Sequence, residues 1–240
     1  MLHTTSSKEE VVRLSKTWKL AGLILVWVPK NIGEIIFNNV ESPVVFIDSH
    51  FNDEEKKYHN IGLQDEQGGY LITRYLISMG HTNVVFLAND ILFTGTDLNR
   101  FKGCQKAFEQ EGLTFDENKH IPLPKERSER YKIYTQFTKK DNKYTALIFS
   151  SDYYATEAMS FLQDCGINIP QDISVTGFDD NIFARIIRPH LTTIHQNPSE
   201  KGKVAVSMLM KLIQKKTIEE PNVKLKVELK IRDSVKNINK

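Results

Sequence analysis

The sequence is short of cysteine, of long apolar runs and of charge gathered in any one place, and each shortage excludes something. Two cysteines in 240 residues, Cys104 and Cys165, lie far apart, which is weak ground for a disulfide framework. Each falls at an apolar position of a predicted helix, so both are expected as buried free thiols of a reducing compartment. No apolar run approaches the ~20 residues that span a bilayer. Residues 1–10 are polar and lack the apolar centre of a signal peptide. The expectation is a cytoplasmic protein without membrane contact. Lysine and arginine number 32 against 30 acidic residues, a formal net charge of +2. The charges are spread along the chain, so no basic block marks a nucleic-acid surface. The lysines of residues 211–240 are offset by Glu219, Glu220 and Glu228 and read as a solvated face and strand.

Motifs of catalysis are missing too. There is no glycine-rich phosphate loop, no nucleophile elbow and no HExxH or CxxC spacing. The seven histidines are scattered, and no serine or cysteine beside His195 looks activated. The expectation is therefore no enzyme, no cofactor and no metal. A magnesium ion held by an aspartate cluster is the one chemical alternative.

What is present is ordinary globular material, 40% apolar and 26% charged. The length suits one large α/β domain or two small lobes. Short runs that are apolar throughout occur at 23–28 (LILVWV), 44–47 (VVFI), 84–88 (VVFLA), 146–149 (ALIF) and 173–176 (ISVT). Such runs suit strands buried on both faces of a parallel sheet. Between them lie helical stripes. One runs from Asp65 through Leu71, Ile72, Tyr75, Leu76 and Met79 to Gly80, with Asp65 as its candidate cap. Others carry Phe101, Cys104, Ala107 and Phe108, and Ala155, Ala158, Met159, Leu162 and Cys165. Asn197-Pro198-Ser199-Glu200 has the order of a capping box with proline at the first helical position. Residues 224–232 (KLKVELKIR) alternate and predict one last strand near an edge.

This alternation predicts α/β architecture, doubly wound parallel sheets in two lobes. Candidate joints near Gly80 and around Thr192–Asn197 divide the chain. One lobe is expected to hold residues 1–80 plus 197–218, the other 81–196 plus 219–240.

In open parallel sheets ligands bind beyond the carboxyl ends of the strands. Three strand ends here finish in aspartate: Asp48, Asp152 and Asp179. Carboxylates in such a place accept hydrogen bonds from several hydroxyls at once, as sugar binding requires. Phe178, Tyr153 and Tyr154 offer aromatic surface for a sugar ring, and Arg100 offers donors or holds a carboxylate in place. The plainer readings stand beside these. Asp152 between a strand and a helix is as well read as an N-cap, Arg100 as a structural ion pair, and the aromatics as core.

In order along the chain, several blocks resemble one family. Residues 169–180 (IPQDISVTGFDD) resemble its "vP.DisvvGfDD", and 189–196 (PHLTTIHQ) its "P.LTTI.Q". Gly202, Ala205 and Val206 match "G..Av". Val44 to Asp48 resembles "vvliD", Gly68 to His81 "GG......L...GH", Arg100 to Gly103 "R..G", and 229–234 (LKIRDS) "L..R.S". The chain thus resembles the lactose-repressor (LacI/GalR) family of transcriptional regulators from about Leu14 to Ser234. The resemblance implies a two-lobed fold like the periplasmic sugar-binding proteins, with a small sugar effector in the interlobe cleft. It places Asp48, Arg100, Asp179 and Gln196 where relatives contact the effector. Ser151-Asp152 stands where Asn-Asp is common, so the asparagine's contact is lost and Ser151 replaces only part of it. Glu66 replaces a frequent asparagine without expected consequence for the ligand. The resemblance further implies a homodimer and control of operator DNA. A solute (sugar)-binding protein of a transport or sensing system is the alternative.

The family opens with a helix-turn-helix domain and a hinge helix, and nothing before Leu23 can encode these. Residues 7–20 look like the lobe's second helix. The N-terminal lobe is therefore expected to be incomplete, with an apolar sheet edge exposed and reduced stability.

Overall fold

A computed structural model of the chain describes residues 7–49, 58–89 and 95–239. In chain order come α1 (Lys8–Thr17), β1 (Leu23–Val26), α2 (Lys30–Asn39), β2 (Val44–Ile47) and β3 (His59–Leu63). Next are α3 (Asp65–Ser78), β4 (Val84–Ala88), α4 (Thr96–Glu109), β5 (His120–Pro122) and α5 (Arg127–Thr135). Then follow β6 (Ala146–Phe149), α6 (Asp152–Asp164), β7 (Ser174–Asp179), α7 (Ile182–Ile186) and β8 (Thr192–His195). Last come α8 (Pro198–Ile213), β9 (Asn222–Leu225) and β10 (Glu228–Lys230).

The elements form two compact units. Unit 1 comprises Met1–Leu63 with Asn197–Lys226, and unit 2 comprises Gln64–Gln196 with Val227–Lys240. Among the described residues, unit 1 has a parallel sheet in the order β1-β2-β3-β9. Unit 2 has the order β10-β8-β7-β6-β4-β5, parallel except for the antiparallel edge strand β10. The expected α/β class with parallel sheets is borne out. Every residue of β2, β4 and β6 is buried, as continuous apolar runs require.

The boundaries differ from the expected ones in two places. Helix α3 belongs to unit 2, so the first crossing falls after Leu63, not at Gly80. The cause is the α3–α4 contact, where glycines bring two backbones together. A Cβ built on Gly69 would fall 1.9 Å from the Arg100 carbonyl oxygen, and one on Gly103 would fall 2.0 Å from that of Glu66. The third crossing falls after Lys226. The single strand expected over 224–232 is therefore two strands in two sheets. β9 pairs with β3 and β10 with β8. No glycine or proline interrupts KLKVELKIR, so the break has no local signal. The crossing at Asn197 lies within the anticipated joint.

Each sheet is covered by an amphipathic helix. In unit 1, α8 starts where the Asn197 side chain accepts the Glu200 N–H at 3.1 Å, with Pro198 at its first turn. It lays Ala205 and Met208 on Val45, Ile47 and Ile61. In unit 2, Ala155, Ala158, Met159 and Leu162 of α6 pack on Leu147, Phe149 and Val175.

The two cysteines part company with expectation. Cys104 is buried, but Cys165, at the C-cap of α6, is exposed. Position 165 lies one residue past the end of the helical stripe, where the chain has already turned toward solvent. Burial pushes the Cys104 thiol up to about 12. Ellman's reagent should therefore titrate Cys165 rapidly in the native protein, and Cys104 only on unfolding. Rapid reaction of both thiols would contradict this packing.

Candidate functional site

The carboxyl ends of unit 2's strands gather most of the predicted site residues. Arg100, on the first turns of α4, is buried. Its Nε donates to Asp65 Oδ1 at 2.9 Å and its Nη1 donates to the Ser150 carbonyl just past β6. The guanidinium lies 3.5 Å over the Phe178 ring centroid. Phe178 in turn is buried beneath Gly68, where a Cβ would fall 2.5 Å from the ring. The ring is thus a floor for Arg100 and not an open platform for a ligand. Asp65 sits at the first position of α3, with Gln64 at the N-cap. It anchors Arg100, where the sequence suggested a cap.

Asp152 opens α6 and is buried. Thr193 Oγ1 donates to its Oδ1 at 2.5 Å, and the Asn181 N–H donates to its Oδ2 at 2.9 Å. Gly177 leaves room for the carboxyl, since a Cβ there would fall 2.4 Å from Oδ1. Burial, with help from the charges of Asp179 and Asp180, pushes this carboxyl up to about 7 against the pull of those two hydrogen bonds. The structure therefore assigns Asp152 to holding β8 and the turn after β7. Ser151 precedes it at the N-cap, half-buried, with no side-chain capping bond.

Asp179 ends β7 in a left-handed backbone conformation, φ +121°. It is half-buried, and its Oδ1 accepts from Gln196 Nε2 at 2.7 Å. Asp180, also left-handed at φ +55°, turns inward. Arg185 Nη2 donates to it at 3.0 Å, His195 Nδ1 lies 2.9 Å away, and Arg232 Nη2 closes the cluster. Burial opposes ionisation of Asp180, but these donors outweigh it and hold the carboxyl below the usual carboxylate range. Adjacent acids thus take different tasks. Asp180 knits α7, β8 and the C-terminal segment, while Asp179 stays at the strand ends.

Asp48 belongs to unit 1. It follows β2 with φ +51°, and both its oxygens face Lys201 Nζ, at 3.0 and 2.7 Å. Lys201 lies in the first turns of α8, 153 residues away in sequence. Nothing local in the sequence linked the two, and Lys201 is a residue the sequence reading missed. Asp65 and Thr193 were missed as partners for the same reason. Asp179 and Asp180 fall in the block "GfDD" and Thr193 in "LTTI".

Tyr153 is exposed and meets Tyr154 edge-on at 5.4 Å. Among the described residues, no group of three or more His, Cys, Asp or Glu side chains is arranged to hold a metal ion. None of the described helices is long and apolar enough to cross a membrane.

A family model described as a periplasmic binding protein-like domain matches residues 73–235. The chain belongs to that family. This periplasmic binding protein-like chain is 32% identical over 206 residues to the HTH-type transcriptional repressor PurR of Pasteurella multocida (strain Pm70), a match covering 85% of the chain and 60% of that relative. The chain thus spans about 60% of that relative's length. Among solved structures, it resembles the transcription regulator CcpA of Lactococcus lactis with a TM-score of 0.85 at 21% identity, over 95% of this chain and 83% of that one. It also resembles the transcriptional regulator CelR in complex with cellobiose, again with a TM-score of 0.85 at 21% identity, over 98% and 72%. At such identities the structures speak for the fold. The resemblance to LacI/GalR effector-binding domains is borne out by these relatives.

Proposed function

We propose that this periplasmic binding protein-like chain is the effector-binding regulatory part of a LacI-type repressor. A small sugar binds at the strand ends of unit 2 and shifts the whole protein's affinity for operator DNA. The observation that carries the reading is Asp179. Its half-buried carboxylate ends β7, braced by Gln196 and adjoining the Arg100–Phe178 stack, in a family whose relatives are named as repressors. A carboxylate there accepts two hydroxyl donors of one sugar.

In this reading Asp179, Gln196 and Ser151 touch the effector, and Arg100 offers its remaining donors. Asp152 and Phe178 hold those groups in place. In unit 1, Asp48 is the residue that the family resemblance assigns to effector binding. The cellobiose bound by CelR is the kind of ligand such a set of groups fits. No catalytic step is assigned to any residue. The whole protein works as a cytoplasmic homodimer, and it reaches DNA through the helix-turn-helix part its relatives are named for. The coupling is a population shift, because an effector moves the DNA-binding equilibrium only by its differential affinity for the two states.

A thermal-shift screen of the purified chain against sugars, sugar phosphates and purines tests this. A ligand at about a hundred times its Kd adds ~2.7 kcal/mol of stability, or several degrees of melting temperature for a chain of this size. One sugar is expected to do so, and Asp179→Ala should abolish its effect. A panel without any shift, or a shift untouched by Asp179→Ala, would overturn the assignment.

A further inference from the structure

Unit 1 carries a groove of its own on α8, away from its strand ends. The helix begins with Lys201 beside Asp48, which follows the carboxyl end of β2. After α8 the chain returns through residues 214–221 to the amino end of β9. β9 runs parallel with β3, and β3 with β2, so this return lies at the opposite end of the sheet from Asp48. Between the helix and the returning segment is a cavity of about 580 Å³, within the ~300–1,000 Å³ of small-molecule sites.

The floor of the groove is apolar and fixed. Val204 and Met208 of α8, with Ile218 and Val223, belong to the packed core of unit 1. The rim is charged. Lys203, Ser207 and Lys211 stand one turn apart in a row along α8, with about 12 Å of helix between the two lysines. Glu219 and Glu220 line the same cavity from the returning segment. All four charged side chains are exposed, and among the described residues none of them takes part in an ion pair. Elsewhere in the chain such groups do pair. Lys106 of α4 meets Glu66 of α3 at 3.2 Å, although both are about half exposed. Around the groove the gap is wider than the side chains close, and a ligand lying in it reaches both signs of charge.

An anion alone would meet two carboxylates there, and a cation alone two ammonium groups. A neutral sugar would cover all four charges without matching them. A molecule with a carboxylate at one end, an ammonium at the other and an apolar body between them satisfies rim and floor together. We infer that this groove is a second ligand site, built for a small apolar zwitterion of dipeptide size. Lys203 and Lys211 take its carboxylate, to which Ser207 also donates, and Glu219 and Glu220 take its ammonium. Val204, Ile218 and Val223 carry its apolar side chains. The inference stands apart from the sugar-sensing reading, because the two sites share no residue.

The probes are L-leucyl-L-leucine and L-valyl-L-phenylalanine. N-acetyl-L-leucyl-L-leucine and L-leucyl-L-leucine amide each lack one of the two charges. Calorimetric titration gives the Kd, and methionine methyl resonances give the place. Met208 lines the groove, whereas Met159 lies in the core of unit 2. A dipeptide is expected to bind and to shift the Met208 methyl, assigned through Met208→Leu, while Met159 stays in place. Either analogue should bind about two- to fivefold more weakly, as should Lys211→Gln or Glu220→Gln with the intact dipeptide, each having lost one exposed charge pair. Lys203→Gln combined with Lys211→Gln should weaken binding by about tenfold. These exposed positions should leave the melting temperature of the ligand-free chain unchanged, and Asp179→Ala should leave dipeptide binding unchanged. Absence of heat and of any methyl shift well beyond millimolar dipeptide overturns the inference, as does binding that leaves Met208 unmoved. Equal affinity for the dipeptide and its two analogues, or affinity indifferent to the charge variants, overturns the zwitterion assignment.

Discussion

Gly103→Ala is expected to lower the melting temperature by roughly 2–8 °C, although alanine is the better helix former. Propensity alone favours alanine over glycine in a helix interior by about 1 kcal/mol. The packing argues the other way. An added Cβ at position 103 would fall 2.0 Å from the Glu66 carbonyl oxygen and 2.6 Å from the Tyr70 nitrogen. Both atoms are backbone of α3, so no rotamer change relieves the overlap, and the helices must move apart. Separating them disturbs the reciprocal contact at Gly69 and shifts Arg100, whose carbonyl oxygen lies there. Overpacking of a close contact typically costs 1–3 kcal/mol, occasionally more. Here it has no soft side chain to absorb it, so the loss exceeds the gain from propensity. Gly202→Ala supplies the control. It too lies in a helix, α8, but a Cβ there meets nothing within 4 Å. That variant should be neutral or more stable by up to about 1 kcal/mol. If Gly103→Ala also stabilised the chain, the close approach of α3 and α4 would be wrong.

The same contact shows where sequence reasoning reached and where it stopped. Strands β2, β4 and β6 were legible residue by residue, because burial on both faces leaves an unbroken apolar run between turn residues. Helix α8 was legible because its start is a local device, the Asn197 cap followed by Pro198. Strands β3 (HNIGL), β5 (HIP) and β8 (TTIH) have no such run. They are strands because their neighbours offer partners, as β8 does between β7 and β10. Short helices α2 and α5 went unnoticed between stronger signals. The allocation of α3 to unit 2 rests on two glycines meeting the backbone of another helix, and no periodicity reports that.

The candidate site residues were picked out singly, and the side-chain pairs that join them to the fold were not legible. Asp48, Arg100, Asp179 and Gln196 were singled out from position at strand ends and from family blocks. Their partners were invisible, because ion pairs such as Arg100–Asp65 and Lys201–Asp48 join residues 35 and 153 positions apart. Asp152 left cap and ligand equally open. The fold decides for neither alone, since its carboxyl reaches past its own helix to Thr193 and Asn181.

That placement gives Asp152 a pH signature of its own. Its carboxyl ionises near pH 7 in the folded chain, against an ordinary value of 3.8. Between these values the folded protein keeps a proton that the unfolded chain has released. Stability from this group is therefore greatest at about pH 4, falls as pH rises to about 7, and levels off above. The full gap amounts to at most about 4 kcal/mol. Asp180, next along the turn, has the opposite sign, because its carboxyl is held below the usual range. Its contribution is lost only as pH falls below ordinary carboxylate values. Comparing the parent with Asp152→Asn subtracts Asp180 and every other unchanged group. The asparagine fits the site, because its oxygen accepts the Asn181 N–H and its amide donates to Thr193 Oγ1. The two proteins should unfold at similar urea concentrations near pH 4, and the variant should pull ahead by a few kcal/mol by about pH 8. Parallel curves would mean that Asp152 ionises as an ordinary carboxylate, and that the turn carrying Asp179 stands over a charge rather than a proton.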